Sequence, residues 1–169
     1  MDKFKKKLLC MDVLLLALLI AADQITKKLA VIRLKDQPSF VLIDGILELS
    51  YLENKGAAFG ILQDQKLFFV VIACVFLAVI LYVLLRAPGE RKYVRLHLLL
   101  ICIASGAIGN MADRLRLGYV VDFIYFSLID FPVFNVADIY VTVATALFAI
   151  SVLFLYKEED FGFLIWKRD

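Results

Sequence analysis

Histidine and paired cysteines are nearly absent from this sequence, and their scarcity excludes several kinds of site. His97 is the single histidine in 169 residues, and none of the three cysteines belongs to a CxxC pair. A zinc site needs several such ligands, usually grouped along the chain. We therefore predict no metal and no cofactor. Cys10, Cys74 and Cys102 lie in or beside apolar runs, where we expect them to pack as small core residues.

Net charge is also low, and charged residues are confined to short blocks. A formal charge of +2 with no basic stripe argues against a nucleic-acid partner. Apolar residues make up 63% of the chain, and a spanning helix needs about 20 of them in succession. We predict one integral-membrane domain over residues 1–169, all-α with a small β element. The four transmembrane helices are expected at about 8–31, 67–85, 96–115 and 139–156.

The N-terminal MDKFKKKLLC and the apolar segment after it have the charge pattern of a signal peptide. Three more apolar runs follow, which favours an uncleaved first span. Asp23 and Lys27 lie four residues apart near its end, on one helical face where they can pair. A lysine stem at this position can also snorkel to the interface. An acid this deep in a membrane helix needs a partner inside the bundle, so we expect Asp23 to face the protein.

The segment from about 36 to 60 differs in composition from the apolar runs, since it contains turn residues and alternates between polar and apolar side chains. Asp44-Gly45 lies between two apolar stretches and predicts a β-hairpin with a type I′ turn, in which both central residues have positive φ. The alternation that follows, from Leu47 to Tyr51, is typical of a half-buried strand. Because open sheet edges cannot face lipid, this hairpin is expected outside the hydrocarbon region, at the interface or against the helices.

Two carboxylates stand out where apolar runs meet polar breaks, Asp122 in VVDF and Asp138 in FNVAD. An intramembrane acid is costly, which makes each a candidate functional residue. If the two lie close together, one pKa rises and the pair shares a proton, giving an acid and a base in one site. Aspartic proteases activate water in this way. The spacing alone leaves open whether the two carboxylates meet.

Lysines and arginines concentrate in segments 1–7, 86–95 and 157–169. The positive-inside rule then predicts that both termini are cytoplasmic. With four spans, the connections at 33–66 and 116–138 then lie outside the cytoplasm, and membrane lipid is an expected partner of the protein. The unexplained polar residues collect at that outer face: Asn54, Arg114, Asp122, Asn135 and Asp138.

The third predicted helix and the C-terminal tail contain further residues whose placement can be predicted. Ser105, Gly106 and Gly109 form a small-residue face on the third helix, which allows close approach of another helix. His97 is expected near the membrane interface at the start of that helix. Arg114 has two readings, as a substrate contact or as an ion-pair partner of Asp113 or Asp23. The tail 157–169 is either an interfacial amphipathic segment or a disordered end.

Other functions fit the residue inventory less well. A serine-based intramembrane protease needs a GxSG-type serine and a nearby histidine, and the HExxH and GxGD patterns are also missing. A proton-conducting or transport protein needs a polar path across the bilayer, which the second span does not offer. A purely structural membrane subunit accounts for the glycines and the hairpin, but not for the cost of burying several acids.

Five short blocks occur in an order that resembles the bacterial lipoprotein signal peptidases, also called signal peptidase II. These blocks are DQITK at 23–27, NKGAAF at 54–59, GNMADR at 109–114, VVDF at 120–123 and FNVAD at 134–138. The resemblance covers nearly the whole chain. It implies a four-helix inner-membrane aspartyl endopeptidase with an extracytoplasmic β-cradle, working as a monomer. Its substrates would be diacylglyceryl-modified prolipoproteins, cut just before the modified cysteine.

The resemblance also assigns roles to individual positions. Asp122 and Asp138 match the catalytic pair. The remaining matched positions imply a substrate-binding set: Asn54, Asn110, Arg114, Asn135, Asp23, Lys27 and Gly56. Many family members have a serine after the last aspartate of the final block, whereas this chain has Ile139 and Tyr140, so no hydrogen-bond partner is expected there.

Overall fold

Four long helices dominate the computed structural model, which describes residues 2–56 and 65–164. They are α1 (Lys3–Leu34), α2 (Lys66–Arg86), α3 (Val94–Leu117) and α4 (Val136–Phe154). Within the described residues, these four helices are long and apolar enough to cross a membrane, which confirms the predicted fold class. α1 begins earlier than the predicted residue 8 because the side chain of Asp2 caps it, accepting from the backbone N–H of Lys5 at 3.0 Å.

α3 lies at the centre of the bundle and packs against α1, α2 and α4. Its small residues allow the close approach that their spacing predicts. A Cβ added to Gly106 would stand 2.5 Å from the carbonyl oxygen of Ala137 on α4, and one added to Gly109 would stand 2.4 Å from Oδ2 of Asp23 on α1. Helices in lipid associate through such packing, since lipid tails are as apolar as the side chains.

A three-stranded antiparallel sheet lies at one end of the bundle, in the order β1 (Phe40–Ile43), β2 (Leu47–Asn54) and β3 (Val120–Tyr125). The predicted hairpin is β1–β2. Its turn differs from the type I′ expectation, because Gly45 has a φ of 64° and Asp44 is not in the positive-φ region. Positions 57–60 of the predicted β region lie outside the described residues.

The third strand is a feature that the sequence reading missed. Residues 120–125 were expected to be part of a connection, yet they pair with β2 over the register Leu52↔Asp122 to Asn54↔Val120. The two strands are more than 60 residues apart in the chain, so local patterns do not reveal the pairing. This register places Asp122 beside the end of β2.

The opposite end of the bundle contains the C-terminal tail. Glu158–Leu164 forms a 3₁₀ segment, and Phe163 packs edge-on against Tyr93 with ring centroids 5.5 Å apart. Asp160 accepts from the backbone N–H of Lys157 at 2.9 Å and pairs with Lys92. Over these residues the tail is therefore ordered and docked, and residues 165–169 lie outside the described part of the chain.

The expectation for the cysteines was wrong, and the contact of His97 was not predicted. His97, near the start of α3, is fully buried, and its Nδ1 lies 2.6 Å from Oδ2 of Asp12 on α1. This buried contact joins the imidazole to Asp12, the acid that interrupts the first predicted span. The place of His97 near the membrane interface stays a prediction. Cys10 and Cys74 are exposed on the outer surfaces of their helices and Cys102 is half-buried, so the cysteines do not fill the core. Small apolar side chains are tolerated where a helix faces lipid.

Candidate active site

Asp122 is held on β3 by amide donors from two other parts of the chain. Asn54, the last residue of β2, donates from Nδ2 to Oδ2 of Asp122 at 2.8 Å. Asn135 donates from Nδ2 to Oδ1 of Asp122 at 2.6 Å. Asp122 is 1% exposed, so its carboxylate is oriented by protein groups on both oxygens.

Asp138 lies in the first turn of α4, where the sequence forms a reciprocal capping box. The side chain of Asn135 accepts from the backbone N–H of Asp138, and Oδ2 of Asp138 accepts from the backbone N–H of Asn135, both at 3.0 Å. Oδ1 of Asp138 accepts from Nδ2 of Asn110 on α3 at 2.8 Å. An acid at this position also interacts favourably with the N-terminal end of the helix.

Asn135 joins the two carboxylates into one network. Its side chain bonds to Asp122, its backbone N–H bonds to Asp138, and the same Nδ2 also donates to Oδ1 of Asn110 at 3.1 Å. The structure thus brings Asp122 and Asp138 together, which the sequence spacing could not establish.

Both carboxylates line one cavity of about 650 Å³. Its polar side contains Asn54, Gly56, Asn110, Arg114, Asp122 and Asp138. Its other wall is apolar and comes largely from the β3–α4 connection and α4: Phe126, Ile129, Phe131, Pro132, Val133, Phe134, Ile139 and Val143. A cavity of this size, with a few convergent polar groups against an apolar wall, is typical of a site for an organic ligand.

The apolar wall was not identified from the sequence. Its signal is the repeated phenylalanines of FIYFSLIDFPVF, residues 123–134, which follow the first carboxylate directly. Phe126 and Phe134 stack with ring centroids 5.7 Å apart, and Phe131 packs edge-on against Phe134. These contacts give the wall a defined shape beside the polar groups.

Burial and a neighbouring charge alter the acidity of Asp122. The pKa of Asp122 is raised to about 7, mainly by desolvation and also by the charge of Asp138, which together outweigh the lowering effect of the hydrogen bonds from Asn54 and Asn135. Burial disfavours the charged form of a carboxyl group, and so does a like charge nearby. Near neutral pH, Asp122 is therefore able both to hold and to release a proton.

Arg114 faces the cavity from the last turn of α3. Its Nη2 donates to the carbonyl oxygen of Gly56 at 3.0 Å, and its guanidinium lies over the ring of Phe69 with Cζ 4.6 Å from the centroid. The backbone N–H of Gly56 in turn donates to Oδ1 of Asn54 at 2.9 Å. The predicted ion pair between Arg114 and Asp113 is not what the structure shows, since Asp113 pairs with Lys27.

Asp23 and Lys27 form the buried pair that their spacing predicts, with Nζ 3.0 Å from Oδ2. They are 0% and 2% exposed and lie behind Asn110, and neither is among the residues that line the cavity. Their role in substrate binding stays a prediction. Among the residues that the structure describes, no three His, Cys, Asp or Glu side chains are grouped as ligands for a metal ion.

Comparison with known proteins identifies the family. A family model described as signal peptidase (SPase) II matches residues 15–154. Lipoprotein signal peptidases of Streptococcus pyogenes serotypes M5 and M18 are each 47% identical over 150 residues, covering 89% of this chain and 95% of the relative.

Two solved structures of a bacterial membrane enzyme are also similar to this fold. The structure at 2.3 Å resolution gives a TM-score of 0.75 at 30% identity, covering 88% of this chain and 92% of the solved one. The structure at 1.9 Å gives a TM-score of 0.74 at the same identity, covering 86% and 94%. The match is to an enzyme, not to a transport protein or a structural subunit, and with the sequence matches it leads to one conclusion: this chain belongs to the signal peptidase II family of multi-pass membrane peptidases.

Proposed function

We propose that this chain is an aspartyl endopeptidase that removes the signal peptide from prolipoproteins, cutting just before the diacylglyceryl-modified cysteine. The observation that carries the proposal is the arrangement of Asp122, which is buried, and Asp138, which is half-buried, two carboxylates that Asn135 bridges at the polar side of a largely apolar cavity. The family names of the curated relatives support the substrate class. No cofactor is part of the proposal.

The proposed reaction needs one proton shared between Asp122 and Asp138. The ionised carboxylate takes a proton from water, and the water oxygen attacks the scissile carbonyl carbon. The protonated carboxyl donates its proton to the carbonyl oxygen, so the tetrahedral intermediate is neutral overall. When the intermediate collapses, the C–N bond breaks: the leaving nitrogen takes a proton from the carboxyl that is protonated at this stage, and a hydroxyl of the intermediate gives its proton to the ionised carboxylate. The dyad then again holds one proton. A pKa of Asp122 near 7 supports proton exchange at neutral pH.

The cavity walls suggest how a lipidated peptide would bind. The phenylalanine-rich wall would take apolar side chains or acyl groups, and Arg114 would donate to peptide carbonyls beside Gly56. We propose that Asn54 and Asn110, which line the cavity, act with them at the substrate, and each amide also donates to a dyad carboxylate. Asn135 is fully buried, so it would act on the substrate through Asp122. Asp23 and Lys27 would not touch the substrate and would act at the site indirectly, by supporting Asn110 from behind.

We propose that the site faces the outer side of the cytoplasmic membrane, with both termini in the cytoplasm. The basic segments 1–7, 86–95 and 157–169 and the predicted site occupy different connections of a four-helix chain, which supports this orientation. The proposed partners are membrane lipid and the lipidated precursor, bound by a monomer.

A cleavage assay tests the function. The purified protein in detergent is given a synthetic precursor peptide with a diacylglyceryl-cysteine, and the same peptide with an unmodified cysteine serves as the control. We expect mass spectrometry to show one cut, before the lipidated cysteine, and little or no cut in the control. Equal cleavage of both peptides, or a cut elsewhere, would contradict the proposed specificity.

A further inference from the structure

Lys27 occupies a buried position at which three acceptors converge. Its Nζ lies 3.0 Å from Oδ2 of Asp23, 3.0 Å from Oδ2 of Asp113 and 2.7 Å from Oδ1 of Asn110. A lysine ammonium has three N–H donors, so all three are used. The side chain is 3% exposed and does not line the cavity. Lys27 therefore interacts with protein groups and does not face a ligand.

The first acceptor leads to the backbone that carries Asp138. Asp23 uses its second oxygen, Oδ1, to accept from the backbone N–H of Ala137 at 3.0 Å. Ala137 directly precedes Asp138 at the start of α4, where the first backbone N–H groups have no partner within the helix. The Lys27–Asp23 pair thus fixes the N-terminal turn of α4 against α1.

The second acceptor leads to the backbone that carries Asp122. Oδ2 of Asp113 accepts from the backbone N–H of Val121 at 3.2 Å. Val121 directly precedes Asp122 on β3. Lys27 thus holds two carboxylates, and each of these accepts from the peptide N–H just before one member of the dyad.

The third acceptor leads to the Asp138 carboxylate itself. An ammonium only donates, so its contact fixes the oxygen of the Asn110 amide toward Lys27. The amide nitrogen must then point the other way, where it donates to Oδ1 of Asp138 at 2.8 Å. Without Lys27, the Asn110 amide would lose one of the contacts that set its orientation.

We infer that Lys27 is a positioning residue that sets the geometry of both Asp122 and Asp138 through Asp23, Asp113 and Asn110. This inference rests on the proposed aspartyl peptidase function. Lys27 touches neither the reacting atoms nor the cavity, so its effect is expected on turnover and not on substrate affinity. A displacement of about 1 Å in a catalytic group costs about 10²-fold in rate.

The test must separate positioning from a loss of folding. Lys27→Met alone leaves Asp23 and Asp113 as buried carboxylates without their cation, which is strongly destabilising. The variant that keeps the site uncharged combines Lys27→Met with Asp23→Asn and Asp113→Asn, whose side-chain oxygens still accept from Ala137 and Val121. Lys27→Arg is a second variant, which keeps a positive charge at this position. The N–H donors of its guanidinium lie in one plane, so they cannot reach three acceptors that converge on a single atom.

Steady-state cleavage of the lipidated precursor in detergent gives the readout, with melting temperature measured in parallel. We expect the triple variant and Lys27→Arg to lose about 10²-fold in kcat with KM within twofold. The matched control is Lys35→Met, which removes a half-exposed lysine 3.0 Å from Glu53 on the sheet and should leave kcat unchanged. Wild-type kcat in a folded triple variant or in folded Lys27→Arg would overturn the inference.

A double-mutant comparison adds a readout that a purely structural role would not change. If Lys27 acts through Asn110, adding Asn110→Ala to the triple variant should lower kcat much less than Asn110→Ala lowers it in the wild type. If Asn110→Ala lowers kcat by the same factor in the triple variant and in the wild type, Lys27 does not act through Asn110. The proposed function is judged separately: it fails if the wild type does not cut the lipidated precursor, whereas the positioning role fails while wild-type cleavage stands.

Discussion

The side-chain amide of Asn135 donates to Oδ1 of Asp122 at 2.6 Å while its backbone N–H donates to Oδ2 of Asp138 at 3.0 Å. The same residue caps α4. One asparagine therefore sets a helix start and links the two proposed catalytic groups. These two tasks can be separated by substitution, because serine is an equally good N-cap but has no amide.

Asn135→Ser is expected to melt near the wild-type temperature in detergent and to cleave the lipidated precursor far more slowly. Asn135→Ala should lose activity as well, and in addition about 1 kcal/mol of stability with the cap. Thermal melting and initial cleavage rates of both variants check this prediction. A serine variant that cleaves as fast as the wild type would show that the amide bridge is not needed.

The raised pKa of Asp122 gives stability a predictable pH dependence. The folded state holds this proton up to about pH 7, whereas an ordinary aspartate releases it near 3.8. Stability from this group is thus fully present below the ordinary pKa and is lost as pH rises through the folded pKa. Asp122→Asn should therefore melt with a smaller decrease between pH 5 and pH 8 than the wild type does. An equal or larger decrease in the variant would contradict the assigned pKa.

Arg114→Lys is expected to raise KM and lower cleavage strongly without a matching loss of melting temperature. A lysine cannot both donate to the Gly56 carbonyl and lie flat over Phe69 as the guanidinium does. Arg116→Lys is the matched control, two residues later on an exposed position, and should behave as the wild type. Normal stability with normal cleavage in Arg114→Lys would remove Arg114 from the site.

Gly106→Ala tests whether helix packing sets the site. The added Cβ would meet the carbonyl oxygen of Ala137 at 2.5 Å, one residue before Asp138, so α4 must shift. Such overpacking costs about 1 to 3 kcal/mol, and we expect cleavage to fall together with the melting temperature. Gly162→Ala is the control, because nothing lies within 4 Å of a Cβ there. Unchanged activity and stability in Gly106→Ala would contradict the tight α3–α4 contact.

The proposed orientation is tested by cysteine labelling in a background without Cys10, Cys74 and Cys102. A cysteine at position 44, in the β1–β2 turn, should react with a membrane-impermeant reagent added from outside. One at position 90, between α2 and α3, should react only after the membrane is opened. Labelling of position 90 from outside would overturn the orientation.

The helices and the site differ in how far the sequence predicts them. The run 67–85 carries no charge and is bounded by Lys66 and Arg86, so the ends of α2 were predicted almost to the residue. The β1–β2 hairpin follows from local turn chemistry, although the turn has one positive φ where two were expected. Strand β3 was missed because its partner strand, β2, lies more than 60 residues earlier in the chain. The sequence of β3, VVDFIY, is also compatible with an apolar connection.

The polar network shows the same limit at the level of single residues. The Asp23–Lys27 pair follows from a spacing of four on one helix, and the placement of Asp23 inside the bundle was predicted from the cost of a charge in lipid. Asp113 was expected to pair with its neighbour Arg114, but these adjacent helical residues point in different directions. Only the three-dimensional packing of α1 on α3 brings Asp113 to Lys27.

Cleavage by the two dyad variants tests the central claim most directly. Asp122→Asn and Asp138→Asn each keep the size of the side chain but cannot exchange the proton, and general acid–base catalysis contributes about 10² to 10⁴ in rate. Rates on the lipidated precursor should be measured for both variants alongside melting in detergent. The account predicts folded proteins with no more than a few per cent of wild-type turnover. Substantial cleavage by either folded variant would contradict the two-aspartate mechanism.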